Sequence, residues 1–496
     1  MSKRKFSALD ESFEFPPVEN WKTNQKKVLG CTYNILKPLR PVEQQPKQVE
    51  FVIEEKQENV WAFGKMTRFR IKGQFQCMTP ARGNDPMIDW AGVEPTEADK
   101  VVVAPNFWEK LIEGIDLFHG NNKILTSNEV PYVGNFVNSF KYNFMDPDQK
   151  KLLCPSPAHP GYGIPSTKEP TKGWVLDDGS EWRNYAPNIF RGANKKFSFS
   201  YVPLDLAPFF QNSNYFEHGT VQKIVPFPLL DRFLIRFRFN DNFNDNIFKI
   251  KEGNLKKYRF IIDDIVLVSD QLRLSKQFRS TLLNKRSLWP YTGITRLSKF
   301  DNIAQGSTTW KTTFQSVNFP QGIFVFAVKN TVISGLEKFS DFTGQMFEDH
   351  KIIKLSFDYD KEWFYTSEPN ITNVGNDVME EKLFYDYLDA APFDLNMDKS
   401  KVTLKNIKDG FKGTPFPHVY INLTIPGDTS RLIPYLSEGN ILQKNADLDL
   451  TFTFEVGGAP GELVYIIYLY YTDNNLTLDT RQKNNPFFFS PYIKMV

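Results

Sequence analysis

Histidine is the residue that most readily ligates a metal or moves a proton near neutral pH, and this chain has five, at positions 119, 159, 218, 350 and 418. No two of them share metal-ligand spacing. The three cysteines, Cys31, Cys77 and Cys154, contain no CxxC pair. Asp263 and Asp264 could form an acid–base pair, but they sit inside the apolar run RFIIDDIVLV. A strand sends neighbouring side chains to opposite faces, so one should be exposed and the other bonded to a loop. Glu380 and Glu381 open a helical pattern, where the helix dipole favours acids. GGAPGE at 457–462 is glycine-rich like a phosphate loop, yet it lacks the Lys-Ser/Thr pair and precedes no helix, so it reads as a hairpin turn. GYGIP near 161 is loop punctuation. Arg232, Arg236 and Arg238 form a row that could meet phosphates; a solvated strand face or a salt-bridge surface between subunits are the other readings. The expectation is no catalytic, cofactor-binding or metal-ligating residue, and no cofactor.

The elements that would position such residues are strands. The chain has 496 residues, too many for one β-sandwich and comfortable for two. Hydrophobic residues are 41% and charged residues 24%, which is ordinary for a folded chain. Aromatics reach 15%, including 45 Phe, which favours strands and large buried faces. A net charge of +2 argues against a dedicated nucleic-acid binder. Few cysteines suit a reducing compartment, and neither a signal peptide nor a membrane span is expected.

Residues 1–48 lack periodicity and carry scattered lysines and prolines, so they read as an extended arm, its KRK either a nuclear import signal or a solvated chain start. Strands should begin at Val49, where Val49, Phe51 and Ile53 share a face, followed by Thr67, Phe69 and Ile71. Asn106 should cap a short helix. A turn falls at Gly120-Asn121-Asn122, and a Pro-rich loop spans 155–170. Phe197, Phe199 and Tyr201 mark the next strand. In RFLIRFRF, Phe233, Ile235, Phe237 and Phe239 then oppose the arginines, before a long strand over 258–274. After a connector at 276–290 a second strand set starts, broken by an amphipathic helix with Leu383, Phe384, Tyr387, Leu388 and Ala391 on one face. It ends in VYINLTI, LDLTFTFEV and LVYIIYLYY. Leu448, Leu450, Phe452, Phe454 and Val456 should line one face and pair as a hairpin with Leu463–Tyr471, which is apolar on both faces. That strand asks for a second cover: the other strand set, the tail or a neighbouring subunit. The three phenylalanines of the tail should also dock.

Four segments then carry a resemblance: LIEGIDLFHGNNKI (111–124), LLDRFLIRFRFNDNFND with YRFIIDDIVLVSDQLRLS (229–275), the stretch from GITRLSKF to NTVISG (293–335), and 419–480. Their order and spacing resemble the double jelly-roll major capsid proteins of Polinton (Maverick) elements, adintoviruses and virophage-like eukaryotic DNA viruses. The segment after Gly335 and the Pro-rich loop depart from that pattern. The resemblance implies an all-β fold of two consecutive eight-stranded antiparallel jelly rolls with long loops and a few short helices. The expected division is an N-terminal arm at 1–48, a first roll at 49–282, a second at 283–482 and a C-terminal tail at 483–496. It also implies a structural protein without enzyme activity, forming pseudo-hexagonal homotrimers that tile an icosahedral shell. Its partners would be neighbouring capsomers, vertex (penton) and minor capsid proteins, and genomic DNA only indirectly, through the arm. It would belong to the virion, made in the host cytosol, with assembly in the nucleus as an open alternative. A scaffold or domesticated copy is the nearest rival, and a two-domain β-sandwich lectin or hydrolase the rival from another class.

Overall fold

The structure is a computed structural model. It describes residues 28–54, 59–63, 67–78, 102–103, 107–128, 130–136, 167–169, 173–175, 197–203, 225–227, 232–241, 247–249, 257–276, 288–291, 295–317, 320, 322–337, 347–359, 363–364, 417–422, 424–425, 428–432, 446–471, 476–479 and 487–489. Sixteen of the described strands fall into two sets of eight.

The first set comprises β1 (Val28–Leu36), β2 (Gln48–Ile53), β3 (Arg68–Met78), β4 (Ile112–His119), β5 (Asn122–Ser127), β6 (Phe197–Tyr201), β7 (Phe233–Phe239) and β8 (Lys257–Leu274). One sheet orders them β1–β8–β3–β6, with Asn59–Phe63 and Val225–Phe227 extending it. The facing sheet orders them β2–β7–β4–β5. The second set comprises β9 (Thr295–Asn302), β10 (Thr309–Val317), β11 (Gly322–Lys329), β12 (Ile352–Tyr359), β13 (Trp363–Phe364), β14 (Val419–Asn422), β15 (Ala446–Phe454) and β16 (Leu463–Tyr471). Its sheets are β9–β16–β11–β14, extended by Phe347–Glu348, and β10–β15–β12–β13. Adding eight to each label of the first set reproduces the second, so one connectivity is used twice, and it is the jelly-roll connectivity.

Each roll has its own core. Val49, Phe51 and Ile53 of β2 meet Phe69 and Ile71 of β3 and the inward residues of β7; rings of Phe69 and Phe237 stand 4.8 Å apart, edge to face. In the second roll Leu448, Leu450, Phe452 and Phe454 of β15 face Tyr465, Ile467 and Leu469 of β16. These alternations were legible in the sequence.

Three expectations are corrected. Strands begin before Val49: β1 lies within the stretch read as an arm and pairs with β8 from Leu36↔Leu267 to Val28↔Leu274. Its apolar residues Leu29, Tyr33 and Ile35 hid among polar neighbours because this edge strand is exposed. The strands β15 and β16 form no hairpin; they lie in opposite sheets, and the turn between them crosses the end of the sandwich. Val456 therefore leaves the inward face of β15 and is fully exposed in the turn, at 109%. Gly458 takes φ +74° there, and a Cβ on it would sit 2.4 Å from the Gly306 carbonyl group. Reciprocal bonds between Gly306 and Ala459 and between Ala459 and Ser307, each 2.9 Å, hold the two turns together.

Asp263 and Asp264 are not simple strand neighbours either, because a β-bulge separates Ile262 from Asp264 in the pairing with β3. The tail is tied to its own chain: Phe487–Phe489 pairs with Leu476–Asp479, which pairs with Leu288–Tyr291 inside the expected connector. The KRK start, the GYGIP stretch and the Pro-rich loop except Thr167–Glu169, Glu380, Glu381 and the helix containing Leu383 to Ala391 lie outside the described residues.

Candidate functional site

Among the described residues, those that could do chemistry are placed apart; His159, His218 and Cys154 lie outside them. His350 is buried, accepts the Ile352 N–H on Nδ1 at 3.0 Å, and its carbonyl accepts the Tyr465 hydroxyl at 2.8 Å. His418 is buried against aromatic rings. Cys77 is buried and forms no disulfide. Among the described residues no cluster of His, Cys, Asp or Glu could hold a metal ion, and no helix is long and apolar enough to cross a membrane.

Two of the three arginines of the row are engaged within the first roll, while Arg232 is exposed. Arg236 Nε bonds Glu50 at 2.7 Å, and its guanidinium lies 5.0 Å from the Phe118 ring centre. Arg238 Nε bonds Asp116 at 3.1 Å and its Nη2 donates to Asn128. Asp116 is buried and also accepts the Thr126 hydroxyl at 2.6 Å and Lys123 at 3.0 Å. Burial alone would raise its pKa, but the Thr126 and Lys123 bonds and the Arg238 and Lys123 charges together hold its carboxyl below the usual range. Gly114 makes room: a Cβ there would stand 2.1 Å from Arg238 Nη2 and 2.4 Å from the Ser127 carbonyl.

This polar knot fixes the end of β5, and the chain leaves it into a π-helical turn at Val130–Gly134. That turn packs against helix α1 (Phe107–Leu111), all five of whose residues are buried. Asn240 bonds the Lys110 carbonyl at 2.9 Å. Burial pushes the Lys110 ammonium down to about 7, against the opposing charge of Glu109.

The turn delivers two aromatic side chains to the other roll. Tyr132 meets Phe300 of β9 edge to face, at 5.9 Å. Phe136 stacks on Phe326 of β11 at 4.1 Å and 10°, and its ring also meets Phe347 at 5.4 Å, His418 at 5.3 Å and Phe324 at 6.0 Å. Here lies the second cover that Leu463–Tyr471 required. Tyr465 and Ile467 face the roll's own core, while Val464, Ile466 and Tyr468 belong to neither core cluster and are at most 2% exposed. Phe324, Phe326 and Val328 share that outward sheet face through their pairing with Tyr468, Ile466 and Val464. The best-defined candidate site is thus an aromatic seam joining two rolls. Sequence reasoning found its receiving strand but missed Phe136 and Tyr132, which sit in irregular chain without a period to betray them.

Two rolls of one connectivity, joined face to loop in a single chain, define a double jelly-roll protein. No family model matches the sequence, and no curated protein matches it. Among solved structures, a chain in the 3.5 Å cryo-EM structure of the Sputnik virophage is similar over 92% of this chain and 88% of its own, with a TM-score of 0.52 and 11% identity. The major capsid protein of mavirus is similar over 94% of this chain and 93% of its own, with a TM-score of 0.44 and 11% identity. VP54 of PBCV-1, fitted into a reconstruction of Sputnik, gives 90% and 94%, 0.47 and 9%. At such identities the likeness bears on the fold, and the Sputnik chain shares it.

Proposed function

We propose that this chain is a viral major capsid protein, a structural protein without enzyme activity whose homotrimers tile an icosahedral shell as pseudo-hexagonal capsomers. The observation that carries the reading is the repeated roll. Two rolls of identical connectivity let three chains present six similar units, and a closed three-fold ring needs two different patches on each subunit. The aromatic seam supports it, because a ring closes only if the angle between the rolls is fixed, and a close-packed apolar contact fixes it. The likeness of the fold to the Sputnik chain points the same way. Neighbouring capsomers, vertex and minor capsid proteins would be its partners, with DNA reached only through residues ahead of β1, and the virion its location. No catalytic, cofactor or metal residue is assigned. The first roll takes in β1, so the arm shortens to the residues before Val28.

The test is the mass of the purified protein in solution, followed by electron microscopy of particles from expressing cells. Trimers and closed shells are expected. A protein that stays monomeric at every concentration sinks the capsomer reading, and trimers that appear only in transient, empty intermediates favour a scaffold.

A further inference from the structure

One ionisable ring stands inside the aromatic seam. His418 directly precedes β14 and is 1% exposed. Its imidazole meets the Phe136 ring from the first roll at 5.3 Å and 76°, and the Phe324 ring of β11 at 5.7 Å and 41°. Phe324 is itself stacked on Tyr420 at 4.4 Å and on Tyr468 at 6.0 Å, so the imidazole is set into the packing on which the first roll's connection rests. The other rings of the seam belong to phenylalanines and tyrosines, which are neutral at physiological pH, and burial raises the pKa of Tyr132 further. An imidazole in water changes charge at about pH 6.5.

The charged side chains on the elements packed there are engaged with one another. Lys329, at the end of β11, lies 3.8 Å from Glu348 and 4.0 Å from Glu337. Asp349 bonds Lys351 at 2.7 Å. Glu109 and Lys110 sit together in α1, behind the turn. The turn Val130–Gly134, β14 and β16 carry no charged side chain. A neutral imidazole suits these surroundings. A proton added to it puts a charge among rings, at a cost relieved when the rings part and water reaches the nitrogen. We propose that His418 makes the seam a pH-sensitive joint: the two rolls are held rigidly while its imidazole is neutral, and the joint loosens when the imidazole takes up a proton. Both halves of the joint lie in one chain, so the proposal stands apart from the capsomer reading. The sign follows from linkage. The opened seam binds a proton from solvent that the closed seam excludes, so the closed state is favoured above about pH 6.5 and loses ground as pH falls below it. One unit lower, the opened fraction should rise about tenfold.

The experiment is hydrogen exchange of the purified full chain, read by mass spectrometry at pH 7.5 and 5.5 and corrected for intrinsic rates. Peptides covering 130–136 and 323–328 should exchange about tenfold faster at pH 5.5. Peptides covering 448–454, in the core of the second roll, should keep their protection. H418F and H418Q place a neutral side chain in the same position and should remove the acid effect; should one of them fail to fold, the other carries the comparison. F136A leaves His418 in place but removes its partner ring, and should exchange fast at both pH values. Three results overturn the proposal: a change of less than about twofold at the seam, a tenfold acid effect that persists in the neutral variants or in F136A, or a loss of protection that extends to 448–454. The last would assign the acid response to the second roll itself, where His350 is the buried histidine whose Nδ1 accepts the Ile352 N–H.

Discussion

Replacing Phe136 by alanine tests the seam directly. The side chain is fully buried, and its ring meets Phe326, Phe347, His418 and Phe324 of the second roll. Phe136 belongs to neither core cluster. Truncating a buried Phe costs about 3–5 kcal/mol through lost transfer and cavity terms. The face-to-face stack with Phe326 accounts for roughly 0.5–1.5 kcal/mol beyond area, so F136A and F326A should couple by about that much in a double-mutant cycle. Because the loss falls between the rolls, the single calorimetric transition of the wild type should split in F136A. The second-roll transition should fall by about 6–20 °C, taking 2–4 °C per kcal/mol for a unit of this size. Leu448→Ala is the comparison: it cuts into the second-roll core at similar cost, yet leaves the seam intact and should lower the transition without splitting it. If F136A loses under 1 kcal/mol and still melts in one step, the seam does not couple the rolls.

Asp116→Asn should destabilise the protein by about 2–3 kcal/mol at neutral pH, since Arg238 and Lys123 lose their charged partner. The folded pKa of Asp116 is depressed, so its contribution is present above the unfolded value of about 3.9 and is lost as pH falls through the folded value; in acid titrations followed by circular dichroism, D116N should lack that component. Lys110 has the opposite consequence. Its pKa of about 7 lies below its unfolded value, so the unfolded chain binds more protons between the two; stability should rise with pH from about 7 toward 10, and Lys110→Met should remove that rise in urea midpoints. Gly458→Ala, at positive φ with Gly306 2.4 Å from the added Cβ, should cost at least about 2 kcal/mol in thermal unfolding, and more than Gly335→Ala, whose Cβ meets open space at a similar φ.

The inward faces were legible because their signal repeats every second residue. Val49 to Ile53, Phe233 to Phe239 and Leu448 to Phe454 alternate, and the core requires that they do. The doubly apolar β16 correctly announced a second cover. What covers it was not legible, since Tyr132 lies in the π-helical turn Val130–Gly134 and Phe136 just after it, where no two-residue period marks a buried side chain. The hairpin between β15 and β16 was misread for a related reason. Adjacent strands joined by a glycine-rich turn look alike whether they pair side by side or cross from sheet to sheet, and the bulk of Gly306 against Gly458 is invisible until the chain is folded. The arginine row was read by charge alone, and its acids, Glu50 and Asp116, come from elsewhere in the chain.

The order of the strands also governs how the chain can be made. β8 lies between β1 and β3, and β16 lies between β9 and β11, yet each is the last of its set to leave the ribosome. Asn34 waits for Gln271, 237 residues later. Neither sheet of this kind can be completed from its local neighbours, so folding should be slow and each half-built roll should expose open strand edges until its final strand arrives. The first roll can finish while the second is still being synthesised. Phe136 is then already in place when Phe326 and Ile466 emerge, and the finished roll can serve as the template on which the later one closes.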